Sequence, residues 1–298
     1  MRRRDLLLAG GAAAFSISTW PWESLHAEEQ PKRRVLMFTR SAGYEHAAIR
    51  RTNGELGPAE KVFTSLGKKH NFEVVATKDG RIFDDDIDKF DAFLFYTTGI
   101  LTQEKKGEEP PMSAEGKKKF LDAIASGKGF VATHSGADTF HSPGHDKARY
   151  ENQKVLDPYI EMLGGEFISH GPQQEARMVV ASPNFPGIKD LGKGFKLKDE
   201  WYSLKNFADD LHVVLVQDTQ GMQGKDYQRP PYPATWARPH HDGRVFYTSM
   251  GHREDVWTNP VFQQVLLGGL RWSTGDVDAD VSPNLSGVAP EARVLPKA

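Results

Sequence analysis

Hydrophobic residues along this chain come in short runs separated by polar stretches of helical period. Val35-Leu36-Met37-Phe38-Thr39 follows a basic cluster and reads as a buried first strand. Residues 58–70 read as a helix with Val62, Phe63 and Leu66 on one side. Residues 72–77 and 91–97 read as the second and third strands. Residues 113–126 read as a helix that Ser113 caps and Gly127 ends, with Phe120, Leu121 and Ile124 on one face. Residues 129–134 follow as a fourth strand. The succession of strand, helix, strand, strand, helix and strand predicts a parallel sheet with crossover helices. The second half is less regular. The pattern predicts a helix over 152–163 that stops at Gly164-Gly165, strands at 176–182, 211–219 and 243–249, and a closing helix over 259–272. Residues 274–298 are rich in Pro, Asp, Gly and Ser and read as a segment that wraps the surface or stays loose. The mixed-charge run 103–109 reads as a solvated loop.

Composition narrows the function classes. The 298 residues are 38% hydrophobic and 26% charged, the balance of a globular protein. A formal net charge of −2 lacks the basic excess that nucleic-acid binding requires. The absence of cysteine excludes disulfides, thiolate metal sites and a cysteine nucleophile. Residues 1–27 read as an export signal. Arg2, Arg3 and Arg4 precede a mostly apolar run, and Arg3-Arg4-Asp5-Leu6-Leu7 resembles the twin-arginine motif. The alternative is an uncleaved membrane tether. No other stretch has 18 consecutive apolar residues, so the expectation is an exported, periplasmic domain with no membrane span in its mature form.

In an open parallel sheet, ligands bind beyond the carboxyl ends of the strands. That rule directs His46, Thr98, His134 and Asp138 toward one edge, from the loops after the first, third and fourth strands. Ala132-Thr133-His134-Ser135-Gly136 resembles a nucleophile elbow that projects His134, a residue suited to acid–base work or metal ligation. The alternative is a hydrogen-bonded core histidine. His252 ends another predicted strand at the same rim. In Asp199-Glu200-Trp201-Tyr202, two carboxylates adjoin two aromatics. Glu200 is a candidate acid or base, and the aromatics are candidates to stack on a sugar ring or to cover the core. His141, His145 and Asp146 lie in a Pro- and Gly-containing loop, which is weak evidence for a metal site. His240-His241-Asp242-Gly243 reads as a turn. No dinucleotide fingerprint or phosphate loop is present.

These segments together resemble the ThuA-like (trehalose-utilisation) family. The resemblance rests on Gly43-Tyr44-x-His46, Thr97-Thr98-Gly99, the run from Gly127 to Thr139, Leu163-Gly164-Gly165, Asp199–Tyr202 and Gly243–His252, and it spans 34–275. It implies a flavodoxin-like, class I glutamine amidotransferase-like α/β three-layer sandwich with a mostly parallel sheet. It leaves 276–298 as a C-terminal tail. Amidotransferases carry a catalytic cysteine at the elbow. Here His134 stands there, so glutamine hydrolysis by a thiol is excluded. The family association is with carbohydrate catabolism.

The expected function is an enzyme acting on a glycoside or keto-sugar by hydrolysis, elimination or isomerisation. His134, Glu200 and Asp138 are its candidate catalytic residues, with Asp138 orienting His134 or bonding a hydroxyl. His46, Tyr44, Thr98, Gly99, Trp201 and Tyr202 are the candidate substrate contacts. A cofactor, if present, would be a divalent metal such as zinc on His46, His134 and His252. The alternatives are a non-catalytic sugar-binding protein and a metal-dependent hydrolase of a non-sugar substrate. The expected partner is a small carbohydrate.

Overall fold

Alternation along the first strands sets the layers. In a computed structural model describing residues 32–297, β1 (Arg33–Phe38) turns Leu36 and Phe38 to one face and Val35 and Met37 to the other. All four are fully buried, as a strand covered on both faces demands. β2 (Phe72–Thr77), β3 (Ala92–Phe95) and β4 (Gly129–Thr133) lie parallel to β1 in the order β2-β1-β3-β4. β11 (Gly243–Thr248) extends the parallel half beside β4. The strand order reverses between β1 and β3, which is the switch point of a flavodoxin-like sheet.

Helices cover both faces. α1 (Pro58–Lys69) and α5 (Pro260–Ser273) pack Phe63, Leu66, Phe262, Val265 and Leu266 into the face lined by Val35 and Met37. α2 (Ala114–Ala125) and α3 (Pro158–Leu163) bring Phe120, Ile124 and Ile160 to the opposite face. Ser113 caps α2 by accepting the Gly116 N–H, as its position predicts. α3 is shorter than the expected 152–163. Pro158 stands at its first turn and Asp157 caps it, and the residue before a proline is disfavoured in helix. Gly164 ends it with φ +83.

An antiparallel half completes the nine-stranded sheet. β10 (Tyr232–His240), β9 (His212–Asp218), β6 (Gln174–Val180) and β7 (Gly194–Asp199) continue outward from β11. β10 has no counterpart among the expected strands. Pro233 and Pro239 interrupt its pattern, and the ladder shifts register between Pro233 and Thr235. β5 (Glu166–His170) and β8 (Tyr202–Lys205) form a separate two-stranded sheet. His241, at φ +53, lies in the turn joining β10 to β11.

The short α4 (Glu254–Trp257) follows β11. α6 (Leu285–Val288) belongs to the C-terminal segment, which wraps the domain. Leu285, Ala289 and Ala292 are buried there, and the Asn284 side chain accepts from Val213 N and donates to Val213 O. The expected export signal lies outside the described residues. Among the described residues, no helix is long and apolar enough to cross a membrane.

Candidate functional site

The switch point collects the histidines. His46 follows β1, His134 follows β4, His252 follows β11, and Glu200 links β7 to β8. One ligand atom from each lies within 4.8 Å of the other three. His134 Nε2 is 3.2 Å from His252 Nδ1 and 3.7 Å from Glu200 Oε1, and the last two are 3.1 Å apart. The His46 ring meets those of His134 and His252 nearly edge-on, at 4.9 and 5.0 Å between centres.

Local structure aims each group. His134 takes φ +42, which is uncommon for a residue with a Cβ, at the sharp turn leaving β4. Its Nδ1 lies 3.1 Å from the Ser249 carbonyl. It can only donate there, so Nε2 is the nitrogen that faces the cluster. Its own carbonyl accepts from the Tyr247 hydroxyl. Asp199, fully buried, accepts the backbone N–H groups of Glu200, Gly251 and Arg253. It thereby fixes the peptide units that carry Glu200 and His252. Its type and position beside Glu200 were legible, but this role depends on a loop some fifty residues away.

The electrostatics suit ligation. Burial, with His134 and His252 beside it, drives the His46 imidazole down to about 2, so it is neutral at working pH. Its Nδ1 is buried with no hydrogen-bond partner. Burial disfavours the Glu200 carboxylate, but hydrogen bonds and charge from His134 and His252 outweigh that and hold it well below the usual range. The group is three imidazoles and one ionised carboxylate. Ligands at 2.0–2.2 Å from a tetrahedral centre lie about 3.3–3.6 Å apart, and the three measured separations straddle that range. The donor set therefore fits a divalent ion such as zinc. One feature opposes the fit. Ligation through His252 Nδ1 puts the ring proton on Nε2, which then needs an acceptor. Gln173 presents its amide nitrogen to Nε2 at 2.9 Å, while its oxygen accepts from Arg253. Loading would require that amide to turn.

The other sequence candidates divide. Tyr202 lies at the cluster, its ring 4.1 Å from that of His134. Tyr44 is 66% exposed and sets its edge against His46 at 5.0 Å. Thr98 is buried and donates to the Tyr44 carbonyl, so it braces the loop rather than offering its hydroxyl outward. Gly99, at φ +72, lets that loop close on its neighbour: a Cβ there would sit 2.6 Å from Gly43 N. Trp201 presents no face to a ligand. It is fully buried, and its indole N–H donates to the Gln174 carbonyl. Asp138 pairs with His141 Nε2 at 3.0 Å, whereas the orienting partner of His134 is the Ser249 carbonyl. His170, which no sequence argument singled out, closes β5 opposite Tyr202 and places Nδ1 3.3 Å from Glu200 Oε2. Its signal was a histidine ending an apolar run just before Gly171-Pro172.

Comparison with curated proteins finds no match. Among solved structures, a ThuA-like protein from Bacteroides uniformis is similar with a TM-score of 0.59 at 17% identity, over 82% of this chain and 92% of that one. A ThuA-like protein from Parabacteroides merdae gives 0.58 at 18% identity, over 85% of this chain and 95% of that one. At such identities the likeness establishes the fold, an α/β sandwich on one large mixed sheet. The family model described as ThuA, trehalose utilisation, matches residues 34–273. This chain is thus a member of the ThuA family.

Proposed function

We propose that this protein is an exported enzyme of carbohydrate catabolism, acting on a glycoside or keto-sugar at a centre where His46, His134, His252 and Glu200 hold a divalent metal. The observation that carries this reading is the convergence of four ligand atoms, from four separated segments, within 4.8 Å at the sheet's switch point. A bound ion would supply Lewis-acid polarisation of a sugar oxygen or a water of lowered pKa.

The chain's own groups do the rest. The Ser249 carbonyl holds the proton of His134 on Nδ1 and keeps Nε2 directed inward. Glu200 brings the one carboxylate among three imidazoles, of which burial keeps His46 neutral. Tyr44, exposed at the mouth and braced through its carbonyl, offers the aromatic face expected of Trp201. The family's description as trehalose utilisation supports the substrate class, and the Arg3-Arg4 segment supports export.

The test is metal analysis of the purified mature protein, together with product formation from disaccharides and their 3-keto derivatives, with His134→Ala in parallel. The expected result is about one divalent ion per chain and a product whose rate falls a hundredfold or more in the variant. Saccharide binding without product would replace the enzyme by a binding protein. Chelator-sensitive turnover of non-sugar esters or amides alone would replace the substrate class.

A further inference from the structure

Asp138, His141 and Glu166 form a chain of charged groups that the metal-centred reading does not use. Glu166, the first residue of β5, is fully buried. Its Oε1 faces Ser142 N at 3.0 Å, His145 Nδ1 at 2.8 Å and His141 Nδ1 at 3.3 Å. Its Oε2 accepts from the Ser142 hydroxyl and the Asn206 amide, both at 2.7 Å. Five partners saturate this carboxylate, so it anchors its neighbours rather than reaching for a ligand. His141 hands that anchorage outward. Its Nε2 meets Asp138 Oδ1 at 3.0 Å, and its ring stacks on His145 at 3.9 Å. Burial opposes a charge on His141, but the bonds to Asp138 and Glu166 outweigh it and push the imidazole up to about 9.

Asp138 is the outer end of the chain. Its side chain is 21% exposed, whereas that of Glu166 is not exposed at all. Gly99 N–H donates to its backbone carbonyl at 2.7 Å, which seats it beside the loop that braces Tyr44. Burial raises the Tyr202 hydroxyl, and the charges of Asp138 and then Glu200 add to that. Both carboxylates therefore bear on the tyrosine that packs against His134. Asp138 Oδ1 is taken by His141, and among the described residues no donor meets Oδ2.

We propose that Asp138 is a specificity-determining residue of this site, an acceptor for one hydroxyl of a polyol ligand, and that His141 and Glu166 are its positioning residues. The proposal rests on the carbohydrate reading above. With Oδ1 already held by His141, Oδ2 is, among the described residues, the oxygen of Asp138 without a donor and the one that can take a ligand hydroxyl. It therefore favours a hydroxyl at one ring position and penalises the analogue that lacks it.

The test is isothermal titration of the mature protein with trehalose and its 2-, 3-, 4- and 6-deoxy analogues, for wild type, Asp138→Asn and His141→Gln, with metal content measured in parallel. The expected result is that wild type prefers trehalose to one of the four by about 10–100-fold, the scale of a hydrogen bond to a charged group. In Asp138→Asn that one gap closes to within about threefold while the order of the others stands. His141→Gln narrows the same gap with metal content unchanged. A merely structural role predicts equal weakening for all five sugars, and that result overturns the proposal. So does trehalose binding that is indifferent to every single hydroxyl. Wild type that holds its metal but binds none of the five sugars also overturns the proposal, whereas the carbohydrate reading itself falls only if the disaccharides and 3-keto derivatives give neither binding nor product.

Discussion

Removing the His252 ring is the sharpest test of the four-ligand centre. His252 keeps 15% of its side chain exposed, whereas His134 is fully buried against Tyr202. Truncating His134 would open a cavity and confuse folding with ligation, whereas His252→Ala mainly deletes one donor. Apparent binding free energies for four-ligand zinc sites run to about 10–16 kcal/mol, so one ligand accounts for roughly 3–4 kcal/mol, or about 10²–10³ in affinity. Linkage converts this to stability. A free metal concentration 100 times the wild-type Kd stabilises the fold by about 2.7 kcal/mol, or roughly 5 °C in Tm for a domain of this size. At the same concentration, a variant weakened at least a hundredfold gains at most about 0.4 kcal/mol, under 1 °C. The assay is thermal denaturation of the chelator-treated protein with and without buffered zinc. His240→Ala, on the hairpin away from the cluster, serves as control and retains the wild-type gain. An equal zinc-dependent gain in His252→Ala would refute the argument, as would no gain in wild type.

Three further outcomes follow from the same geometry. His141 is raised above its ordinary 6.5 to about 9, so its ion pairs stabilise the fold fully below about pH 6.5 and are lost as pH rises through 9. Glu166 is depressed, so its contribution is present above the ordinary carboxylate range and is lost only in strong acid. Tm scanned from pH 6 to about 10 should therefore fall in wild type and fall less in His141→Asn; parallel curves would remove His141 as the cause. Trp201→Ala should cost about 3–5 kcal/mol in denaturant unfolding, as a large core truncation does. A stable variant that lost only sugar affinity would restore its expected stacking role. Tyr44→Ala should change stability by less than about 0.5 kcal/mol, because the side chain is mostly exposed, yet weaken trehalose binding severalfold by titration. Unchanged affinity would remove Tyr44 from the mouth.

Local pattern determined much of this protein. The strands through residue 134, the capped helix at Ser113 and the parallel topology follow from periods of two and 3.6 and from turn residues, all of which act over a few positions. Topology then directed His46, His134 and His252 to one edge, because a parallel sheet places all its strand-to-helix loops at the same end. What only the tertiary structure decided involves partners distant in sequence. Trp201 passed from sugar platform to core because Gln174 receives its indole N–H. Asp138 turned to His141 because Glu166, on β5, anchors that ring. β10 stayed hidden because its prolines break the local signal, while β9 and β11 supply its ladder. Asp199 and His170 gained their places from loops that fold onto them from elsewhere in the chain. Hydrogen bonds and burial between remote segments leave no periodic trace in sequence, so residue type announced the chemistry and packing alone assigned the partners.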